Sequence, residues 1–82
     1  MIRLTTNKTG ADFFIISKGS KAGLPVKEAT ANCFAVIVDK DILNKDYFFY
    51  YVLNCYNQKK FMTRGSVIPF LTKEDIYQGL FK

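Results

Sequence analysis

The stretch "IISKGSKAGLP" contains the residue types that bind phosphate groups. Lys18 and Lys21 carry positive charge, and the Ser20 hydroxyl can donate a hydrogen bond. Gly19 and Gly23 allow the backbone amides of the loop to approach an anion closely. Three interpretations fit these residues: a loop that holds a nucleotide phosphate, a loop that contacts DNA, and an ordinary turn.

The residues after the second glycine exclude a nucleotide-phosphate loop. A P-loop has the pattern G-x-x-x-x-G-K-[ST], in which the lysine reaches the phosphates and a helix follows. Here Gly23 is followed by Leu24 and Pro25. A dinucleotide-binding fingerprint is excluded as well, because the chain contains no G-x-G. The stretch is predicted to be a glycine-hinged basic turn, which either contacts nucleic acid or is only solvated.

A second basic cluster comprises Lys59, Lys60 and Arg64, followed by Gly65 and Ser66. Cations near the carboxyl end of a helix also complement the helix dipole, so this cluster has a purely structural explanation. Only proximity of the two clusters in space would make them one basic face. The predicted DNA contacts are Lys18, Ser20, Lys21, Lys27, Arg64 and, more weakly, Ser66.

The charge balance of the chain favours a polyanionic partner. Twelve Lys and Arg residues against seven Asp and Glu residues give a net charge of +5 over 82 residues. Such a charge promotes binding to phosphate backbones, although a charge of this size also serves solubility alone.

Residues suited to catalysis are scarce. The chain has no histidine, which removes the commonest general base and zinc ligand. Cys33 and Cys55 are too few for a disulfide scaffold and are expected to be buried free thiols. Asp39 and Asp41 could bind a metal ion, but a turn is the more economical interpretation. We therefore expect no enzyme activity, cofactor or metal.

These candidate residues depend on a small set of strands and helices. Residues 1–11 either are mobile or add an edge strand through "IRLTT". Strands are predicted for "DFFIIS" and for Cys33–Val38, and Pro25 is incompatible with a central strand. A helix is predicted from the Asn44 cap to Gly65. A short helix follows the capping-box pair Thr72 and Asp75 and ends at Gly79. The predicted fold class is α+β: one small domain with a few-stranded, mainly antiparallel sheet, one long aromatic helix and one short carboxyl-terminal helix.

The long helix begins with an unusually aromatic segment, "YFFYYVL". Its residues are apolar on every side, which indicates either burial or an interface. A strand is the alternative structure for this segment, and a base-stacking platform is the alternative role for its tyrosines. We favour core or dimer interface. The predicted interface residues are Tyr47, Phe48, Tyr50, Tyr51 and Tyr56.

The order of these motifs resembles the distal part of a target-recognition domain from type I restriction–modification specificity subunits. The resemblance spans residues 13–80 and rests on five features. These are the glycine loop Gly19–Gly23, the apolar strand Phe34–Val38, the aromatic helix Tyr47–Leu53, Gly65 with Ile68–Thr72, and Asp75 with Ile76. It implies an α+β module without catalysis, whose polar and basic loops meet the duplex and read base edges in the major groove.

The chain departs from that family in two ways. It has about half the length of a full target-recognition domain, and the long helices that separate two such domains are missing. The expected molecule is thus a stand-alone relative, encoded on a mobile element, that acts as a homodimer on double-stranded DNA. The alternative is a homo-oligomerisation module without nucleic-acid binding. A polar start and short apolar runs predict a cytoplasmic protein with no membrane partner.

Overall fold

A four-stranded antiparallel sheet and two helices make up the fold of the computed structural model, which describes residues 2–65 and 67–81. The elements in chain order are β1 (Ile2–Thr5), β2 (Phe13–Ile16), β3 (Pro25–Val26), β4 (Cys33–Val38), α1 (Lys45–Asn57) and α2 (Lys73–Phe81). The strands lie in the order β1-β4-β2-β3, and each neighbouring pair is antiparallel. The predicted α+β class is confirmed.

The alternation of side chains in β2 defines two faces of the sheet. Phe13 and Ile15 are buried, whereas Phe14 and Ile16 are only half-buried. Because successive side chains of a strand point to opposite faces, Phe13 and Ile15 face the helices. They join a hydrophobic core. β1 and β4 contribute further core side chains from the sheet, and α1 and α2 contribute core side chains from the helices that cover this face. The other side chains of β2 lie on the outer face.

Both edges of the sheet are short or partly covered. β1 is one edge of the sheet. Of the two structures predicted for this segment, a mobile stretch or an edge strand through "IRLTT", the edge strand is the one observed. The backbone amide of Leu4 donates a hydrogen bond to the Tyr77 hydroxyl at 3.2 Å. β3 is the other edge, and Pro25 lies there, which agrees with the exclusion of this proline from a central strand.

Asp12 ties the start of β2 to the end of β4. Its Oδ2 accepts a hydrogen bond from the Val38 amide at 2.8 Å, and Lys40 Nζ lies 2.8 Å from Oδ1. Burial alone would raise the pKa of Asp12, but the hydrogen bonds from Lys40 and Val38 and the positive charge of Lys40 outweigh it and lower that pKa. The carboxylate thus stays charged and fixes one end of the sheet.

α1 begins as predicted but ends earlier. The Asn44 side chain accepts hydrogen bonds from the amides of Asp46 at 2.9 Å and Tyr47 at 3.0 Å, which confirms the cap. The helix was expected to continue to Gly65, and this is wrong, because it ends at Asn57.

Lys59 ends the helix by adopting a left-handed backbone conformation with φ of +58°. Its amide donates to the Tyr56 carbonyl at 3.0 Å, and the Lys60 amide donates to the Cys55 carbonyl, also at 3.0 Å. This hydrogen-bond pair is a Schellman motif, in which glycine usually takes the left-handed position. The chain has a lysine there, so the sequence gives no glycine signal for the end of the helix.

Replacing Lys59 with glycine is expected to stabilise the fold by about 0.5–1 kcal/mol, because glycine reaches the left-handed region without steric cost. Urea denaturation followed by circular dichroism measures the change. Lys60→Gly is the control, since Lys60 is not among the described non-glycine residues with positive φ. An equal gain in both variants would contradict this explanation.

α2 also begins as predicted and ends later. The Asp75 amide donates to Thr72 Oγ1 at 3.2 Å, and the Thr72 amide donates to Asp75 Oδ2 at 3.0 Å, which confirms the capping box. The predicted end at Gly79 is wrong, because the helix continues to Phe81. Gly79 instead makes room for a neighbouring ring: a Cβ added there would lie 2.5 Å from Cδ1 of Phe61.

Candidate functional site

The glycine loop, residues 17–24, connects β2 to β3 as a closed turn. The Gly23 amide donates to the Ile16 carbonyl at 2.7 Å, and the Ala22 amide donates to the Gly19 carbonyl at 3.1 Å. Gly19 and Gly23 have φ values of +102° and +100°, so both positions require the conformational freedom of glycine. Gly23 also lies against the Phe61 ring, which holds the end of the loop in place.

Two open cavities flank the glycine loop. The first has a volume of about 440 Å³, and its lining residues are Ser20, Ala22, Tyr56, Asn57, Lys59 and Phe61. The second has a volume of about 360 Å³, and its lining residues are Ile16, Lys18, Gly19, Ser20, Lys21, Thr30, Ala31 and Asn32. Neither lining includes a carboxylate. The loop therefore meets the end of α1, and Ser20 shares a cavity with Lys59.

A further ammonium group approaches the second cavity. Lys8 Nζ lies 2.7 Å from the backbone carbonyl oxygen of Thr30, one of the residues that line it. No sequence motif singles out Lys8, because its approach to Thr30 depends on the path of the folded chain. We refer to Lys8, Lys18, Lys21 and Lys59 as the lysine region.

Arg64 is joined to the glycine loop through Phe70. The Arg64 amide donates to the Phe70 carbonyl at 2.8 Å, and the Phe70 amide donates back to the Arg64 carbonyl at 2.9 Å. On the other side of Phe70, the Gly19 amide donates to the Pro69 carbonyl at 2.8 Å. Lys18 and Arg64 are both direct antiparallel partners of Phe70. Side chains of directly opposed residues lie on the same face, so Lys18, Phe70 and Arg64 share one face of this short ladder.

The guanidinium of Arg64 already has a protein partner. Its Nε lies 2.8 Å from Asp75 Oδ2, and its terminal nitrogen lies 3.0 Å from Oδ1. Arg64 was predicted to contact DNA, and in the structure it first holds the loop after α1 against the start of α2. Its positive charge is largely compensated, so we assign it a smaller part in any phosphate contact.

The pKa of Asp75 is lowered to about 2, mainly by the hydrogen bonds from Arg64 and also by those from Thr72, which together outweigh the opposing effect of burial. A lowered carboxyl pKa stabilises the fold above the unfolded-state pKa, near 3.8, and this stabilisation is lost as the pH falls toward 2. Arg64→Gln should therefore raise the pKa of Asp75 and remove part of this acid dependence.

NMR titration of the carboxyl carbons measures this effect directly. Lys40→Gln is the matched control, because it removes the cation that pairs with Asp12 at the other end of the sheet. Arg64→Gln should raise the pKa of Asp75 only, and Lys40→Gln should raise that of Asp12 only. An unchanged Asp75 titration in Arg64→Gln would contradict the assignment.

Lys27 and Ser66 do not join the lysine region. Lys27 Nζ lies 5.3 Å from the centre of the Phe49 ring, in cation–π geometry, and it shares a different cavity with Asp12 and Asp46. The predicted grouping of Lys27 with the loop lysines is thus not seen. Ser66 lies outside the described residues.

The predicted interface residues separate into buried and exposed groups. Phe48 is part of the core of the single chain, and Tyr51 is half-buried and donates its hydroxyl hydrogen to the Leu80 carbonyl. Tyr47 and Tyr50 are 65% and 61% exposed. Tyr56 is half-buried and lines the cavity it shares with Ser20 and Lys59. Of the five predicted interface residues, Tyr47 and Tyr50 are the two that present large aromatic surfaces to solvent.

The remaining chemical candidates have structural roles. Cys33 and Cys55 are buried free thiols, as predicted. Asp39 Oδ1 accepts a hydrogen bond from the Asp41 amide at 3.2 Å, which confirms the turn. Among residues 2–65 and 67–81, no group of three or more Cys, Asp or Glu side chains is placed to hold a metal ion.

The sequence matches a family model over residues 3–82, and that model describes DUF6943, a family of unknown function. The chain belongs to this family. No curated protein and no solved structure matches it. In the part of this DUF6943 chain that the structure describes, neither helix has the length and apolar content needed to cross a bilayer.

Proposed function

We propose that this DUF6943 chain is a cytoplasmic, non-catalytic module that binds double-stranded DNA as a homodimer, similar to half of a target-recognition domain. The observation that carries the proposal is the open cavity shared by Ser20 of the glycine loop and Lys59 at the end of α1. It joins two basic segments that are far apart in sequence. The motif order described above supports the same assignment.

The chemistry of the lysine region fits a phosphate backbone. Lys18 and Lys21 line one cavity beside the loop and Lys59 the other, with no carboxylate in either lining to compete for the ammonium groups. Lysines bind phosphates as mobile point charges, and their binding releases counterions from the duplex. The hydrogen-bonded turn also holds the loop in one conformation, so little order has to be gained on binding.

Duplex binding measured against salt concentration tests the proposal. Each phosphate neutralised adds about 0.9 to the magnitude of the negative slope of log K against log salt. The double variant Lys18→Gln with Lys21→Gln should therefore reduce this magnitude by about 2. Fluorescence anisotropy with a labelled duplex measures this slope. Lys40→Gln with Lys45→Gln is the matched control, because it removes the same charge near Asp12, at the opposite end of β2.

Two results would remove the proposal. One is absence of duplex binding at about 50 mM salt, where a protein with several phosphate contacts binds most strongly. The other is an equal loss of slope in both double variants, because this would indicate a response to net charge alone.

A protein-interaction module is the second candidate function. It is favoured by Tyr47 and Tyr50, which lie one turn apart on α1 and expose most of their rings. Tyrosine is enriched at protein interfaces because its ring is apolar and its hydroxyl remains able to bond. Light scattering of wild-type protein and of Tyr47→Ser with Tyr50→Ser measures association. A monomeric wild type would remove this candidate.

A further inference from the structure

The segment after α1 forms a closed loop that presents apolar side chains to solvent. Val67 and Ile68 are 89% and 57% exposed, and Pro69 follows them. We refer to Val67, Ile68 and Pro69 as the apolar tip. Isolated exposed apolar residues are common, but adjacent ones at the end of a small loop indicate a contact surface.

The base of this loop is firmly held. The reciprocal hydrogen bonds between Arg64 and Phe70 close it, and the bonds from Gly19 to Pro69 and from Leu71 to Ser17, both 2.8 Å, attach it to the glycine loop. Gly65 has a φ of +89°, and a Cβ there would lie 2.7 Å from the Ile68 carbonyl oxygen. The hydrogen bonds therefore anchor the base of the loop, directly beside the tip.

We infer that the apolar tip is a wedge that inserts between adjacent base pairs of duplex DNA and kinks the duplex. The inference rests on the proposed function, because the lysine region has to supply the phosphate contacts. Architectural DNA-binding proteins insert Ile, Met, Phe or Pro side chains between base steps in this way. A wedge on an anchored base suits this task, since unstacking a step is costly and any further ordering of the protein would add to that cost.

Charge placement favours DNA as the occupant. The tip leads directly into Phe70, whose antiparallel partners are Lys18 and Arg64. Because the guanidinium of Arg64 is paired with Asp75, Lys18 supplies the positive charge beside the tip. A base step is an apolar stack that lies next to charged phosphates. Lys21, which shares a cavity with Lys18, extends the positive charge away from the tip. An apolar tip beside the cations Lys18 and Lys21 matches the chemistry of an opened base step.

A duplex with 2-aminopurine at a flexible TA step tests the inference, because the fluorescence of this base rises when it unstacks. The wild-type protein should increase the fluorescence. Val67→Ser with Ile68→Ser should abolish the increase and weaken binding about tenfold, with the salt slope unchanged because no charge is removed. Met62→Ser is the matched control: its side chain is 79% exposed but lies outside the tip. All these positions are exposed, so the variants should fold.

The outcomes separate the two proposals. One outcome overturns the wedge and leaves the proposed function. In it, the protein binds the duplex with the expected salt slope, but the fluorescence does not increase and the tip variant has no effect. Absence of duplex binding overturns both. Binding to phosphatidylserine vesicles that depends on the tip, without duplex binding, also overturns both and identifies the tip as a lipid contact.

Discussion

Replacing Phe13 with alanine is expected to destabilise the fold by about 3–5 kcal/mol, which is most of the stability of a domain this small. The Phe13 ring is buried between the sheet and α1. Its centre lies 5.2 Å from that of Phe49, edge to face, and 6.2 Å from that of Phe48. Removal of the ring therefore leaves a cavity where β2 meets the helix. Urea denaturation followed by circular dichroism measures the loss.

The adjacent residue is the matched control for this prediction. Phe14 follows Phe13 in β2 but points to the outer face of the sheet and is only half-buried. Phe14→Ala should cost less than half as much as Phe13→Ala. Equal costs would contradict the assignment of the two faces. A cost that grows with protein concentration would instead indicate that a second copy covers the outer face.

Gly79→Ala is expected to destabilise the fold by about 1–3 kcal/mol, although alanine is favoured over glycine in a helix by about 1 kcal/mol. The added Cβ would lie 2.5 Å from Cδ1 and 2.9 Å from Cε1 of Phe61, and 3.1 Å from the Lys60 carbonyl oxygen. Since Phe61 also lies against Gly23, its ring has little freedom to move away. The expected change in stability is therefore opposite in sign to the change that helix propensity alone predicts.

A double-mutant cycle tests this explanation. In a Phe61→Ala background the ring is gone, so Gly79→Ala should cost much less than in the wild type or should stabilise the helix. Gln78→Ala, at the neighbouring exposed position, should change the stability by less than about 0.5 kcal/mol. Stabilisation by Gly79→Ala in the wild-type background would show that the close packing of Phe61 is not a constraint.

The parts of the fold that could be predicted depend on local signals. The bounds of β4, Cys33–Val38, follow from a run of apolar and β-branched residues. The starts of α1 and α2 follow from the side chains of Asn44 and Thr72, which bond to amides two or three residues away. Interactions over such short separations are visible in the sequence itself.

The ends of both helices could not be predicted, for two different reasons. α1 ends where Lys59 adopts an unusual conformation, which its residue type does not indicate. Gly79 has the residue type of a helix end, but its role is to contact Phe61, 18 positions earlier in the chain. A glycine needed for close packing and one needed for a turn look the same in sequence.

The candidate site shows the same division. The glycine loop was predicted to be a turn, because a strand, two glycines and a proline specify a turn locally. The meeting of Ser20 with Lys59, the approach of Lys8, and the separate position of Lys27 all depend on the path of the whole chain. Charge alone could not distinguish these lysines.

The two edge strands of the sheet, β1 and β3, affect how copies of the chain can associate. An edge strand with free amides and carbonyls can template the addition of further strands, which leads to edge-to-edge polymerisation. On the β1 edge, the Tyr77 hydroxyl accepts a hydrogen bond from the Leu4 amide. The strand on the other edge, β3, has only two residues, and one of them, Pro25, has no amide hydrogen. Neither edge offers a long row of backbone groups. Growth into fibres by continuous sheet extension is therefore disfavoured at both edges of this sheet.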